Sequence, residues 1–309
     1  MLDHKKLIII LIITISTAFP TFSGPVTDSA NSAYSKGDTK RSITLFQKAA
    51  DLGENPALCY FNIANGYFKL DSLPQALLYY QLCIGYAPTF FRAHLNLATV
   101  LYNLNDIGSA IASAKRALIY KPNNLKAMNL LSAAYKKAEA YPEAIAIMET
   151  IFQLYPENGD ICISIAEIYR KLEDDTEALN WLKEYPEGGS NQDYVNILLA
   201  DIYEKKGEHT QAIYYLKKSW EINNSNKWVY YRIVSLQKKS GNPLVALQTA
   251  SAGLEKMPDF KELALLAGNL AFEAENYDTA ERFYSKAREL GSAGAVVGLE
   301  NIRSIRLNN

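Results

Sequence analysis

The sequence predicts an all-α solenoid of paired helices, and three observations carry the prediction. Apolar residues return every 34 residues, two columns of that repeat hold almost only small side chains, and turn-forming residues recur at two further columns. The composition suits such a fold: of 309 residues 49% are hydrophobic and 21% charged, with 32 Lys and Arg against 33 Asp and Glu, a formal net charge of −1. That apolar content is too high for a disordered chain, and so even a balance without a basic run excludes the electrostatic footprint of a nucleic-acid binder.

The first 23 residues differ in kind. Lys5 and Lys6 precede an apolar run from Leu7 to Ile15, Pro20 breaks it, and Thr21-Phe22-Ser23 places small residues ahead of Gly24. The pattern predicts a signal peptide over residues 1–23, cut after Ser23. The alternative, an uncleaved anchor, is opposed by the run's length, well short of the roughly 20 apolar residues that span a bilayer. The mature chain is expected to be exported, periplasmic or secreted, with no integral membrane span. It loses two basic residues and one acidic one, for a net charge of −2.

From residue 23 onward the period fits eight units without insertion or deletion: 23–56, 57–90, 91–124, 125–158, 159–192, 193–226, 227–260 and 261–294. In the second, Tyr60, Ile63, Ala64, Tyr67, Ala76, Tyr80, Cys83 and Pro88 take positions 4, 7, 8, 11, 20, 24, 27 and 32. Position 20 reads Ser42, Ala76, Ala110, Ala144, Ala178, Ala212, Ala246 and Ala280, and position 8 is nearly as small. Small residues at facing columns let two helices approach closely. Position 7 supplies Ile63, Leu97, Leu131, Ile165, Leu199 and Ile233 to the core between them.

The turns follow from position 16, where Asp38, Ser72, Asp106, Asp174, Asn242 and Asn276 can cap the second helix, and from Pro74 and Pro142 in its first turn. The first helix is expected to end near position 14 or 15. Pro88, Pro122, Pro156 and Pro258 at position 32 end the second. Residues 295–309 keep apolar spacing through Val296, Leu299, Ile302 and Ile305 and predict a C-terminal capping helix, which a solenoid needs to cover its last face.

This spacing resembles the tetratricopeptide repeat. The resemblance implies a right-handed superhelix of helix-turn-helix units forming one continuous domain over 24–294. Unit five departs from the pattern: Tyr185 and Pro186 stand where the other units are still helical, and Glu187-Gly188-Gly189-Ser190 follow. Its second helix should end about a turn early, either as a local loop in an intact stack or as a hinge.

Chemistry is sparse. There is no phosphate loop, nucleophile elbow, His-Glu-x-x-His or Cys-x-x-Cys, so no enzyme, metal or cofactor is expected. His94 falls at core position 4 and His209 in a turn, neither with a second ligand at metal spacing. Cys59, Cys83 and Cys162 read as small buried thiols, although Cys59 and Cys83 lie level on the two helices of one unit.

In the family the chain resembles, the concave surface is lined by positions 2, 5, 9, 12 and 13 of the first helix. Here those columns give Asn31, Phe61, Asn65, Phe68, Lys69, Arg92 and Tyr102 in units one to three, an aromatic and amide-rich half. In units four to seven they give Lys126, Lys137, Arg170, Lys171, Trp228 and Tyr231, a cationic stripe broken by Asp160, Glu167, Asp201 and Glu204. A lysine at position 13 also suits the C-terminal end of a helix dipole. Phe61, Phe68 and Trp228 are the sharper candidates, because a large apolar side chain on a concave face has no core to enter.

The carboxylate clamp of the family's chaperone-binding members is not expected. Asn65, Asn96 and Lys126 match it, but Phe61 and Leu130 stand where two cations are required. The predicted role is a non-catalytic scaffold in an exported compartment that holds a peptide or partner protein in its groove, as in the assembly of an envelope complex. The alternative is a glycan-associated component of a cell-wall or polysaccharide export apparatus. The partners expected are other proteins or peptides, not nucleic acid, a membrane span or a metal.

Overall fold

In the computed structural model residues 24–308 are described; the expected signal peptide over residues 1–23 lies outside them. Among the described residues there are 17 helices and no strand. The chain divides between Pro156 and Glu157 into two compact units. The N-terminal unit holds α1 (Pro25–Ser35), α2 (Thr39–Asp51), α3 (Pro56–Lys69), α4 (Leu73–Tyr86), α5 (Phe91–Asn103), α6 (Ile107–Tyr120), α7 (Leu125–Lys137) and α8 (Tyr141–Leu154). The C-terminal unit holds α9 (Asp160–Lys171), α10 (Asp175–Lys183), α11 (Gln192–Lys205), α12 (His209–Ile222), α13 (Lys227–Lys239), α14 (Pro243–Lys256), α15 (Lys261–Glu273), α16 (Tyr277–Glu289) and α17 (Ala293–Asn308).

Within each unit the principal contacts run between helices adjacent in the chain, joined by α5 with α7 in the first and α15 with α17 in the second. Such a structure is held by nearest-neighbour interfaces. The small columns set those interfaces. Ser42 and the seven alanines of position 20 are at most 1% exposed. Gly268, at position 8 where most repeats have Ala, lies so close to the Tyr284 ring that a Cβ would collide with it. Enlarging either column would cost about 1–3 kcal/mol in overpacking.

Every first helix stops at position 13, one or two residues before the expected end, and for one reason. Position 15 is left-handed in all eight repeats: Gly37, Asp71, Asn105, Glu139, Glu173, Gly207, Gly241 and Glu275 have φ between +57° and +83°. In each, the N–H of position 16 donates to the carbonyl of position 11 at 2.8–3.0 Å, and the N–H of position 15 donates to that of position 12. This double closure satisfies carbonyls that the helix end would otherwise orphan. Only three of the eight residues are glycine, so the column carries no glycine signature in the sequence.

Four of the six expected position-16 caps form: Asp38, Asp106, Asp174 and Asn276 accept the N–H three residues on. Ser72 and Asn242 do not. The Ser72 hydroxyl and the Asn242 amide donate instead to carbonyls of the preceding turn, those of Leu70 and Ser240. At the start of α1 the carboxylate of Glu54 accepts from the Thr27 N–H (2.8 Å) and hydroxyl (2.9 Å), placing a negative charge at a positive helix end.

The second helix of unit five is short as expected: α10 has 9 residues where α12 has 14. Tyr185 then folds inward and is 8% exposed, its hydroxyl accepting the Asn191 N–H at 2.9 Å.

Candidate functional site

The N-terminal unit carries, on the side of its first helices, a pocket of about 350 Å³, lined by Tyr34 of α1, Asn65, Phe68 and Lys69 of α3, Tyr80 of α4, and Asn96 and Thr99 of α5. Its floor is a hydrogen-bonded triad. The buried Tyr80 hydroxyl donates to Asn65 Oδ1 at 2.5 Å, and Asn96 Nδ2 donates to the same oxygen at 3.0 Å and to the Tyr80 Oη at 3.1 Å. Burial pushes the Tyr80 hydroxyl up to about 12, against a lowering contribution from the Asn96 bond, so it stays a donor at ordinary pH. With Asn65 Oδ1 doubly occupied, the groups left to a ligand are the Asn65 amide nitrogen and the Asn96 carbonyl oxygen, one donor group and one acceptor. Above them Tyr34 is 38% and Phe68 37% exposed, and the Lys69 ammonium sits 5.2 Å from the centroid of the Tyr34 ring.

The other candidates of this unit fall outside that pocket. Phe61 is corrected: it does have a core to enter. Half-buried, its ring lies 4.9 Å from that of Phe90 and 6.0 Å from that of Tyr80, wedged against the back of the triad. Asn31 and Lys126 are exposed, and Arg92 is exposed with its guanidinium 5.9 Å from the Phe91 ring. Tyr102 is half-buried with Lys137 over it at 4.7 Å.

In the C-terminal unit the cationic stripe is corrected too, because its charges are paired across successive repeats. Arg170 meets Asp201 at 3.6 Å; Arg232 bonds both Asp201 (2.8 Å) and Glu204 (2.9 Å); Lys239 reaches Glu204 at 3.4 Å. Lys205 pairs with Asp175 at 2.7 Å and Lys238 with Glu273 at 2.6 Å. Burial raises the Glu204 carboxyl, but the hydrogen bonds and charges of Arg232 and Lys239 outweigh it and hold the group below the usual carboxylate range. Arg170 and Lys171 thus line a shallow mixed-charge recess with Glu167, Asp175 and Asp201. Trp228 is 55% exposed, its ring edge-on to Phe260 at 5.4 Å and to the half-buried Tyr231 at 5.6 Å.

Sequence reasoning assigned Tyr80 to the core and passed over Arg232. One signal could have found the first: a position-9 asparagine coincides with a position-24 tyrosine in Asn65 and Tyr80 and again in Asn269 and Tyr284, whose hydroxyl donates to Asn269 Oδ1 at 2.8 Å. His94 is buried with its Nε2 2.8 Å from the Pro88 carbonyl oxygen. The three cysteines are unpaired and buried. Among the described residues no group of three His, Cys, Asp or Glu could hold a metal ion, and no helix is long and apolar enough to cross a membrane.

Three family profiles, each described as a tetratricopeptide repeat, match the chain: one over residues 135–202, one over 95–159 and again over 231–295, and one over 194–226. Among curated proteins none matches. Similar solved structures include the C-terminal part of a TPR repeat-containing protein from Cytophaga hutchinsonii, 13% identical with a TM-score of 0.58, covering 88% of this chain and 99% of that one. A tetratricopeptide repeat protein from Parabacteroides merdae is 14% identical with a TM-score of 0.50, covering 80% and 98%. The MamA protein is 18% identical with a TM-score of 0.50, covering 55% and 92%. At these identities the likeness is one of fold.

Proposed function

We propose a binding role from the premise that the chain belongs to the tetratricopeptide repeat family, whose fold serves generally as a scaffold for protein–protein interaction. The reading is a non-catalytic scaffold that holds an extended peptide segment of a partner protein in the pocket of the N-terminal unit. One observation carries it: two exposed aromatic rings, Tyr34 and Phe68, stand over an amide pair whose orientation is locked by Tyr80. A peptide group offers one acceptor and one donor, matching the Asn65 amide nitrogen and the Asn96 carbonyl oxygen, while an apolar side chain of the ligand takes the face of Phe68. Residues locked by packing before the ligand arrives lose little freedom on binding. The exported compartment, and with it a partner in an envelope assembly, rests on the pattern of residues 1–23 alone.

The test is a random-peptide phage library panned on the full chain, with the enriched peptides synthesised and their Kd values compared between wild type and Tyr34→Ala/Phe68→Ala, folding being checked by circular dichroism. At least a tenfold loss in the folded double variant is expected, roughly 1.4 kcal/mol or more for removing two aromatic contacts. Peptides that bind both proteins alike, or affinity for a purified cell-wall polymer in place of any peptide, would overturn the reading.

A further inference from the structure

Charge is distributed differently on the first helices of the two units. All four cations of α13 are answered by acids: Lys227 by Asp259, Arg232 by Asp201 and Glu204, Lys238 by Glu273 and Lys239 by Glu204. By contrast α3, α5 and α7 carry Lys69, Arg92, Lys126, Lys136 and Lys137 and not one Asp or Glu. α1 adds a single acid, Asp28, which among the described residues meets none of these cations.

Helix dipoles account for part of this excess. Lys69, Lys136 and Lys137 stand in last turns, at negative helix ends that favour a cation. Arg92 and Lys126 do not fit that account. Each is the second residue of its helix and exposed, in a first turn without any acid, where the positive end of the dipole disfavours a cation. Lys121 adds to the same end: its ammonium lies 4.9 Å, and the Arg92 guanidinium 5.9 Å, from the centroid of one ring, that of Phe91. The ring attracts both cations and neutralises neither. Among the described residues no carboxylate pairs with Arg92, Lys121 or Lys126. A bound anion relieves such an arrangement, because it pairs with charges that repel one another and oppose their helix ends.

These cations border the pocket already described. Arg92, Asn96 and Thr99 fall at i, i+4 and i+7, one stripe of α5, and the latter two line the pocket. Lys126 takes the same register on α7, the first helix that α5 contacts next. Packed helices lie roughly 8–10 Å apart, so about three residues of extended chain pass from one cation to the next. We propose that Arg92, Lys121 and Lys126 form an acid-reading rim of this pocket, and that the peptide segment held there carries Asp or Glu side chains at the spacing of Arg92 and Lys126. The inference rests on the pocket being a peptide site and names the class of partner, an internal acidic segment. Its side-chain carboxylates take charge-assisted bonds from the rim while an apolar neighbour lies on Phe68.

Two peptides blocked at both ends serve as probes, acetyl-Glu-Glu-Leu-Leu-Glu-Glu amide and its glutamine analogue. Each is titrated into the full chain while the side-chain amide resonances of Asn65 and Asn96 are followed by NMR. At low salt the acidic peptide is expected to bind at least tenfold more tightly, a margin that narrows as salt screens the charges. Arg92→Gln/Lys121→Gln/Lys126→Gln should abolish the margin without changing the Kd of the glutamine peptide, and Arg92→Lys/Lys126→Arg should keep it. Equal Kd values for the two peptides, a margin that survives in the folded triple variant, or a trigalacturonate control bound as tightly as the acidic peptide would overturn the proposal. If both peptides bind equally and both are lost in Tyr34→Ala/Phe68→Ala, the pocket stands and the acidic partner falls. Binding that Tyr34→Ala/Phe68→Ala leaves untouched overturns the pocket reading first, and this one with it.

Discussion

The ammonium of Lys137 lies 4.7 Å from the centroid of the Tyr102 ring, and Lys69 stands the same way over Tyr34 at 5.2 Å. In both pairs a position-13 lysine covers the position-12 tyrosine of the repeat before it. The contact joins consecutive first helices and also shields one ring face, so these lysines act first on the scaffold and only through it on a ligand.

Lys137→Met is therefore expected to lower stability by about 0.5–1 kcal/mol, the worth of an exposed cation–π contact. In a Tyr102→Leu background the same substitution should cost nothing more. Lys126→Met, on the exposed first turn of α7, should stay within about 0.5 kcal/mol of wild type. Urea unfolding of the double-mutant cycle measures all three, and equal costs for Lys137 and Lys126 would exclude the coupling.

The Arg232 fork makes stability depend on acid. Glu204 has its carboxyl lowered in the folded chain below the usual value of 4.5, so its contribution is fully present above that value and is lost as pH falls through the lowered folded pKa. Arg232→Met leaves Asp201 and Glu204 with one cation fewer and is expected to cost about 1–2 kcal/mol at pH 7. Because the Glu204 carboxyl then returns toward 4.5, the variant should lose less further stability between neutral pH and pH 3 than wild type does. Thermal melts across that range decide it; parallel pH profiles would show that Arg232 does not set the Glu204 titration.

The left-handed column predicts opposite effects of two small substitutions. Glu139, Glu173 and Glu275 occupy position 15 with φ near +60°, a conformation that costs an L-residue with a Cβ about 1–2 kcal/mol. Glu173→Gly should stabilise the chain by about 0.5–1 kcal/mol once the entropy of the glycine is subtracted. Gly207→Ala, at φ +76° with nothing near enough to clash, should destabilise by about 1 kcal/mol through the backbone alone. Chemical denaturation of the two variants gives the signs directly.

Burial pushes the thiol of Cys83 up to about 12 and that of Cys162 up to about 11, and raises that of Cys59 as well. At pH 8 the thiolate, which is the reacting form, is then scarce and inaccessible. Iodoacetamide under native conditions should leave all three unmodified for as long as the chain stays folded, and label all three in urea. Rapid native labelling of Cys83, read by mass spectrometry, would contradict the packing around it.

Much of the architecture was legible because a helix repeat writes each contact into the chain at a constant spacing. The alanines of position 20 and the prolines of position 32 report local geometry, and local geometry is decided within one unit. The helix ends at position 13 were less legible. The left-handed turn is stabilised by two backbone hydrogen bonds, which make no demand on side-chain identity and so accept Glu139 as well as Gly37. Of the candidate residues, Phe68 and Lys69 do line one pocket, while Phe61, placed beside them by the same column rule, turns out to pack on Phe90, the last residue of its own repeat and the N-cap of α5.

The sequence by itself determined the class of fold, the family and the place where the pattern breaks at Tyr185-Pro186, since all three depend on periodicity. Only the tertiary structure decided which charges are neutralised and which amides are left without partners. Arg232 meets Asp201 and Glu204 from 31 and 28 residues away, and Gln192 Oε1 is buried without a hydrogen-bond partner. A side chain's charge and hydrogen-bonding capacity are properties of its residue, but their satisfaction belongs to its neighbours in space, and those neighbours are chosen by how the helices pack.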